Sequence, residues 1–246
     1  MLLSIDTSSR YGGAALSTVD GHVVEARMWR STANHTAQLM PAVAELLSAR
    51  DIRAAELTAV AVALGPGPFS ALRVGVSAAK GLAMAGGFPI FGVDTLLLEA
   101  WRYLDRTALG QPPVESGVAS WLDAGRNEIA AGVFGAGGER TTDDRVAAPA
   151  DLLAEDTSGP SATIYCGEAA WARRIEIAAR AGGDIPCVVM PWTPADRLWA
   201  LADVAGRGMG KGAPDDPATL QPYYLRMPTI GAPRRRDLVR QGRPSS

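Results

Sequence analysis

The chain begins with three short apolar stretches separated by turn signals. Residues 2–5 form the first stretch, which ends in Asp6-Thr7-Ser8-Ser9, and residues 12–16 form the second. Residues 23–29 follow Asp20-Gly21, a dipeptide typical of hairpin turns. The pattern therefore predicts three antiparallel strands at the start of the protein.

From residue 34 the apolar spacing changes to that of helices. Residues 34–50 predict a first helix with Asn34 or Thr36 as its cap. Its apolar face carries Leu39, Val43, Leu46 and Leu47.

An unbroken apolar run at residues 57–64 is typical of a parallel strand that is buried on both faces. Gly65-Pro66-Gly67-Pro68 ends this strand, and a second helix is predicted over residues 70–85. A strand at 90–93 and a helix at 95–104 complete the order βββαβαβα.

After a stretch rich in Gly and Pro at residues 109–117, the order of elements begins again. Residues 118–123 predict a strand that ends in Asp123, as the first strand ends in Asp6, and residues 128–134 predict its hairpin partner. The remaining elements are predicted as a strand near 140–146, a short helix at 149–154, a strand at 162–166, a helix at 168–181, a strand at 187–190 and a helix at 194–206, which completes the second lobe. The sequence thus predicts two similar lobes, residues 1–108 and 109–231, and a basic tail at 232–246.

The composition is that of a globular protein, with 47% hydrophobic and 20% charged residues in a chain of 246. Cys166 and Cys187 have no CxxC spacing, which indicates two buried thiols rather than a disulfide framework. No basic residue precedes the first apolar run, and the apolar stretch at residues 74–85 is too short to span a bilayer. We expect a cytoplasmic protein that does not bind membranes.

The net charge of −2 is unevenly distributed along the chain. The tail holds five arginines against Asp237 alone, a charge of +4. Such a tail is either a solvated, disordered end or a contact for the phosphate backbone of a nucleic acid.

The ends of the first strands of the two lobes are candidate ligand sites. Asp6, Thr7 and Ser8, together with Asp123, could surround a phosphate and hold a hydrated cation. The alternative is that each aspartate only closes an Asx turn.

The segment from Gly65 to Ser70 precedes a helix N-terminus, which attracts anions. It lacks the GxxxxGK[ST] pattern, and Pro66 and Pro68 remove two backbone donors, so a rigid turn is an equal alternative. His22 and His35 form no HxxxH or HExxH pair, and no serine lies in GxSxG. Zinc catalysis and a peptidase nucleophile are therefore not supported.

The second predicted helix consists mostly of small residues over 74–83. Small side chains allow close packing, either inside the lobe or against another protein. The sequence alone leaves both possibilities open.

Several motifs together resemble the TsaB (YeaZ) family, which is also described as glycoprotease-like and takes part in tRNA threonylcarbamoyladenosine biosynthesis. The resemblance covers nearly the whole chain. It is carried by residues 3–8, His35 with residues 39–41, residues 65–76 (Gly65, Pro66, Gly67, Phe69, Ser70 and Arg73 among them), residues 79–83, 92–96 and 122–129, and residues 222–226.

This resemblance implies an α/β protein with the actin-like ATPase (ASKHA) fold, in which two ribonuclease H-like lobes have mixed sheets flanked by helices. It also implies a non-catalytic subunit of a tRNA threonylcarbamoyltransferase complex. The family pairs with its paralogue TsaD, which modifies the adenosine beside the anticodon, and the pair recruits the ATPase TsaE.

The family uses its first two helices for this pairing, or for a homodimer when TsaD is absent. The corresponding candidates here are Leu39, Val43, Leu46, Leu47, Val76 and Lys80. The resemblance implies no cofactor or metal of the chain's own, with ATP and metal in the partner subunits and tRNA bound mainly through the complex. Asp6, Thr7, Ser8 and Asp123 would then line a vestigial nucleotide cleft.

Two positions depart from the family pattern. Where the family has Ser-Phe-Thr-Gly, this chain has Pro68-Phe69-Ser70-Ala71, which keeps a hydroxyl cap at Ser70. Where the family has Asp-Ala-Arg-Arg, this chain has Asp123-Ala124-Gly125-Arg126. The alternative function is a nucleotide hydrolase or phosphotransferase of the same fold, with Asp6 holding magnesium and Asp123 orienting the attacking group.

Overall fold

The structure is a computed structural model. It describes residues 1–31, 35–104, 117–155, 162–180, 188–209 and 213–226. The expectations for Asn34, Cys187 and the tail at 232–246 lie outside these residues.

The first lobe is built on a five-stranded mixed sheet with the strand order β3-β2-β1-β4-β5. Strands β1 and β2 are antiparallel, whereas β1 and β4 are parallel, and almost every residue of these three strands is buried. Its elements are β1 (Leu2–Asp6), β2 (Tyr11–Ser17), β3 (Val23–Arg30), α1 (Thr36–Ala49), a short 3-10 turn (Ala54–Glu56), β4 (Ala59–Gly65), α2 (Phe69–Gly86), β5 (Ile90–Asp94) and α3 (Thr95–Leu104). The order βββαβαβα is confirmed.

The second lobe repeats this topology. Its sheet has the order β10-β9-β6-β7-β8, which places β6 where the first sheet has β1. Its elements are β6 (Gly117–Gly125), β7 (Glu128–Phe134), β8 (Arg145–Ala147), α4 (Pro149–Glu155), β9 (Ala162–Cys166), α5 (Glu168–Ala172), α6 (Arg174–Arg180), β10 (Val188–Val189) and α7 (Pro194–Met209). The predicted internal duplication is therefore present in the fold.

A tight turn joins β6 to β7. Gly125 pairs with Glu128, so the loop contains only Arg126 and Asn127, and both have a positive φ (55° and 58°). Two left-handed residues in a two-residue loop match the right-handed twist of the strands. Gly125 itself has φ 74°, a conformation that disfavours the arginine of the family pattern at this position.

Each sheet is covered by helices on both faces. In the first lobe, α1 and α2 cover one face, and α3 and α7 cover the other. In the second lobe, α3 covers one face and α4, α5 and α6 cover the other. Helix α3 therefore packs between the two sheets.

Helix α7 differs from the sequence-based expectation. Residues 194–206 were expected to complete the second lobe, but α7 packs on β1, β2 and β4 of the first sheet. Leu201 and Ala205 of α7 bury their side chains against Leu2 and the alanines of β4. The division of the chain between residues 108 and 109 stays a prediction.

Other boundaries differ locally. The strand expected near 140–146 is limited to β8, and the helix expected over 168–181 is divided into α5 and α6 at Arg173. Helix α1 has His35 as its N-cap rather than Thr36, and α2 has Pro68 rather than Ser70. Neither cap residue donates or accepts a side-chain capping hydrogen bond.

Residues 213–226 form a closing segment along the first sheet. The backbone N–H of Asp215 donates to Ile90 O (2.9 Å), and that of Tyr223 donates to Leu64 O (2.8 Å). The Lys80 ammonium donates to Leu220 O (3.0 Å), which ties the segment to α2. None of the helices described is both long and apolar enough to cross a bilayer.

Candidate functional site

One candidate site is a cleft of about 460 Å³ between the lobes. One wall is formed by the turn after β1 (residues 8–10) and by residues 66–69, which lead into α2. The opposite wall comes from the β6–β7 turn (residues 122–126), and residues 224–226 of the closing segment complete the rim. The volume lies within the range of small-molecule sites.

Asp6 is buried beneath this wall, and hydrogen bonds occupy both of its carboxylate oxygens. Oδ1 accepts from the backbone N–H (2.8 Å) and the hydroxyl (2.6 Å) of Ser8. Oδ2 accepts from Nε of Arg197 at 2.8 Å. Asp6 therefore closes the Asx turn that was one of its two predicted roles.

Arg197 comes from α7 and is fully buried. Besides Asp6, its guanidinium donates to Oε1 of Glu99 (3.0 Å) and to the Ser9 hydroxyl (2.7 Å). Trp192 donates its indole N–H to the Glu99 carboxylate (2.8 and 2.9 Å). One buried cation thus joins two buried carboxylates. We call this group of residues the Arg197 cluster (Asp6, Ser9, Glu99, Trp192 and Arg197).

The two carboxylates of the cluster respond differently to their surroundings. Burial opposes ionisation of Asp6, but the Arg197 charge and the hydrogen bonds from Ser8 outweigh it and lower the pKa of Asp6. Burial raises the pKa of Glu99 to about 7, because Arg197 and Trp192 offset only part of the desolvation. Asp6 therefore stays ionised at neutral pH, whereas Glu99 gains or loses its proton close to neutral pH.

The family motif packs around the turn after β1. The Thr7 hydroxyl donates to Ala71 O (2.7 Å). A Cβ atom at Gly75 would lie 2.3 Å from Thr7 Oγ1, and one at Gly67 would lie 2.1 Å from the carbonyl oxygen of Ser8. Both glycines are thus needed because the backbone of the turn approaches them closely.

The remaining motif residues hold the entrance to α2. Gly65 has φ 110° and donates its N–H to the Thr95 hydroxyl (3.0 Å). The Phe69 ring lies 4.9 Å from the Tyr224 ring and beneath the Arg73 guanidinium (5.1 Å). Ser70 is exposed. These contacts favour the rigid turn over the anion site.

Asp123 is an exposed residue of the cleft wall, and its Oδ1 accepts the N–H of Gly125 (2.8 Å) in an Asx turn. The basic side chains of the cleft include two that are paired with carboxylates. Arg10 donates to Glu168 (Nε to Oε1, 2.9 Å), and Arg226 donates to Glu128 (Nη2 to Oε1, 2.8 Å). Asp6 lies beneath the wall formed by the turn after β1, and Asp123 lies on the opposite wall.

A magnesium ion at Asp6 does not fit this arrangement. A hard cation needs carboxylate oxygens that are free to coordinate it, and Arg197 and Ser8 occupy those of Asp6. The described residues contain no group of three or more His, Cys, Asp or Glu side chains that could hold a metal. In this arrangement, the carboxylate of Asp6 is held by Arg197 and Ser8.

His35 is a buried hydrogen-bonded link. Its Nδ1 accepts from the Trp29 indole (2.9 Å), so its Nε2 donates to Ser9 O (2.8 Å). Burial lowers the pKa of His35, in keeping with a neutral ring.

The predicted interface residues lie mostly inside the first lobe. Leu39, Val43, Leu46 and Val76 are buried in the core on β1 and β4, and Leu47 packs against that core. Lys80 is half-buried and bonded to Leu220. The helical periodicity identified the faces that pack on the sheet, so the four buried side chains are not available to a partner.

Comparison with known proteins agrees with the motifs. The family model described as "TsaD: tRNA N6-adenosine threonylcarbamoyltransferase" matches residues 30–179, more than half of the chain. The tRNA threonylcarbamoyladenosine biosynthesis protein TsaB of Escherichia coli is 31% identical over 131 residues, which cover 52% of this chain and 56% of that protein. The chain thus matches about half the length of the curated relatives.

Two solved structures share the fold. YeaZ from Pseudomonas aeruginosa superposes with a TM-score of 0.66 at 24% identity, over 91% of this chain and 99% of that one. A putative N-acetylmannosamine kinase from Listeria monocytogenes superposes with a TM-score of 0.54 at 11% identity, over 85% and 99%. These likenesses confirm the α/β, actin-like ATPase fold with two mixed sheets flanked by helices. The family model and the TsaB match show that the chain belongs to the TsaB (YeaZ) family of TsaD-like proteins.

Proposed function

We propose that this protein is a non-catalytic partner subunit in the formation of threonylcarbamoyladenosine beside the anticodon of tRNA. It pairs with a TsaD-type transferase, supports recruitment of a TsaE-type ATPase, and works in the cytoplasm. The observation that supports the non-catalytic role is the Arg197 cluster, in which an internal cation binds Oδ2 of Asp6 while Ser8 binds Oδ1.

The pairing surface that we propose is the outward side of α1 and α2. Two methionines are exposed there, Met40 to 46% and Met84 to 68%. The exposed residues of the same two helices include small ones, Ala44, Ser77 and Gly81. A Cβ atom at Gly81 would meet nothing within 4 Å, so another backbone can approach closely. We call this surface the α1–α2 face.

The α1–α2 face replaces the buried candidates as the site of pairing. Leu39 and Val43 shape it only indirectly, because they anchor α1 to the sheet. The same face would serve a homodimer when the transferase is absent. In this account ATP and metal belong to the partner subunits, and tRNA is bound mainly through the complex.

The proposal is tested by reconstituting tRNA modification from this protein, its cognate transferase and its ATPase. Met40→Glu places a charge on the α1–α2 face and is expected to reduce threonylcarbamoyl transfer at least tenfold. The matched control is Ile175→Glu, which adds the same charge at an apolar residue on α6 that is 75% exposed. Equal activity of Met40→Glu and Ile175→Glu would overturn the assignment of the face.

The alternative hydrolase function has no observation in its favour. Its proposed magnesium ligand, Asp6, is neutralised within the protein. For the glycoprotease description, the described residues likewise contain no group of three or more His, Cys, Asp or Glu side chains that could hold a metal.

A further inference from the structure

Strand β3 lies at one edge of the first sheet, next to β2. Ser31, which follows β3, donates its N–H to Arg10 O (2.8 Å), so these two residues form a hydrogen-bonded pair. Such pairs alternate with non-hydrogen-bonded pairs along an antiparallel ladder, and the register with β2 is regular over residues 25–30. Every second residue of β3 therefore directs its backbone N–H and C=O away from β2, namely Ala26, Met28 and Arg30.

Two arginines cover the first part of this outer edge. Arg50, which follows α1, donates to Val24 O, and Nη1 of Arg27 donates to the carbonyl oxygen of the residue before it (2.9 Å). Among the described residues, the outward N–H and C=O groups of Met28 and Arg30 have no partner. Unpaired backbone groups at a sheet edge are a template for a further strand. The part of the edge that is open to another chain is thus centred on Met28.

The side chain at the centre of the open edge is apolar. Met28 is 47% exposed, although the strand before it is half-buried. It lies beside Leu198 of α7, because Cδ2 of Leu198 and Cγ of Met28 lie 2.9 and 3.5 Å from the position that a Cβ atom at Gly13 would take. Trp199, the next residue of α7, is also exposed. Exposed apolar side chains beside unpaired backbone groups favour contact with another protein chain.

We propose that the outer edge of β3 pairs with the same edge of a second copy of this chain. The two strands run antiparallel about a twofold axis at Met28, where the N–H of each Met28 donates to the C=O of the other. On either side of the axis, the N–H of Ala26 donates to the C=O of Arg30 in the other copy. The five-stranded first sheets of the two protomers then form one continuous sheet.

The side chains and the covered carbonyls favour this register over its neighbours. With the axis at Met28, Arg27 of one copy lies opposite Trp29 of the other, and a guanidinium beside an indole is a favourable pair. An axis at Arg27 would bring two like charges together and would need the Val24 carbonyl, which Arg50 occupies. An axis one residue beyond Met28 would place part of the pairing past the end of β3. The axis at Met28 alone uses all three outward-facing residues.

This edge is separate from the surfaces described above. Residues 26–30 line neither the cleft nor the α1–α2 face. The inference therefore stands independently of the proposed function, and its failure would leave that proposal unaffected.

The first test uses light scattering of Met40→Glu, a charge on the α1–α2 face that prevents a homodimer there. At high micromolar concentration this variant should still have the mass of a dimer. Adding Met28→Pro removes the outward N–H at the axis from both copies, and the dissociation constant should rise at least about tenfold. Proline is tolerated at this position because the Met28 N–H takes no part in the pairing with β2. Met28→Leu, which keeps the N–H and an apolar side chain, is the matched control.

A cysteine variant keeps the test independent of any effect of proline on folding. The Cα atoms of a hydrogen-bonded antiparallel pair are about 5.5 Å apart, which is within the range of a disulfide. In a Cys187→Ser background, oxidised glutathione should therefore link Met28→Cys into a covalent dimer. Val19→Cys, at a residue between β2 and β3 that is 54% exposed, is the control and should stay largely unlinked.

Three results would each overturn the proposal. The first is a monomeric Met40→Glu at high micromolar concentration. The second is equal dissociation constants for the Met28→Pro and Met28→Leu variants. The third is equal linking of Met28→Cys and Val19→Cys, which would show that the thiols meet only by random collision.

Discussion

At the scale of single residues, Arg197 explains how the turn after β1 is held in place. Its guanidinium binds Asp6, the residue that the sequence places at the end of the first strand, and it also binds Glu99. The pKa of Arg197 is raised, because its two carboxylate partners outweigh the burial that would lower it. An internal cation thereby satisfies the turn after β1 without a ligand.

Removal of the Arg197 charge should destabilise the protein strongly. Arg197→Met would leave Asp6 buried without its cation, and the free energy of unfolding should fall by about 3–5 kcal/mol. Denaturant unfolding measures this change. Arg102→Met, which removes an exposed arginine of α3 paired with Asp196, is the control and should cost about 1 kcal/mol or less. Similar losses in the two variants would contradict the role assigned to the buried cluster.

Glu99 should give the protein a pH-dependent stability. Its folded pKa of about 7 lies above the ordinary value of 4.5, so between these values the folded state binds more protons than the unfolded state. The contribution of Glu99 is therefore present below about pH 4.5 and is lost as the pH rises to about 7. The lowered pKa of His35 acts in the opposite direction below its usual value of 6.5.

The difference between wild type and Glu99→Gln isolates the carboxyl group, because His35 is common to both. We expect the stability of wild type relative to Glu99→Gln to decline between pH 4.5 and 7 in denaturant titrations. A difference that does not change with pH would show that Glu99 has an ordinary pKa.

At the scale of elements, periodicity predicted nearly every helix and strand, because each element has an apolar face that it buries. The same periodicity misled the choice of docking residues. Leu39, Val43 and Leu46 recur on one face of α1 because that face packs on the sheet. The signal for the exposed face was the pair Met40 and Met84, which lie outside the apolar stripe.

The buried charges were missed for a related reason. Arg197 precedes Leu201 and Ala205 by one and two helical turns, so it lies on the buried stripe of α7, and Glu99 lies between Leu98 and Ala100 in α3. A charged residue on an apolar stripe is the signal that could have found both. The pairing of Arg197 with Asp6 and Glu99 could not be predicted, because α7 was expected to pack on the second sheet.

Substitution of two glycines of the family motif, Gly67 and Gly81, should change stability in opposite directions, because their surroundings differ. Gly67→Ala forces a Cβ atom against the Ser8 carbonyl, so we expect a loss of about 1–3 kcal/mol in the free energy of unfolding. Gly81→Ala lies in α2 with open space around it and should stabilise by about 0.5–1 kcal/mol. Thermal unfolding of both variants distinguishes them, and a neutral Gly67→Ala would contradict the close packing of the turn.

At the scale of the whole molecule, two sheets of identical topology indicate a duplicated lobe. The echo of Asp6 in Asp123 predicted this duplication: Asp6 ends β1, and Asp123 lies two residues before the end of β6. Local patterns could not predict which sheet each helix covers. Helix α7 packs on the first sheet, and α3 packs between the two sheets. These contacts depend on residues that are far apart in the chain.

The central claim is that the protein acts through the α1–α2 face rather than through the cleft. The most direct measurement is light scattering of the protein alone and mixed with its cognate TsaD-type transferase, for wild type, Met40→Glu and Ile175→Glu. The account predicts a mixed complex for wild type and Ile175→Glu, and no complex for Met40→Glu. It would be contradicted if wild type formed no complex at micromolar concentrations, or if Met40→Glu bound as tightly as wild type.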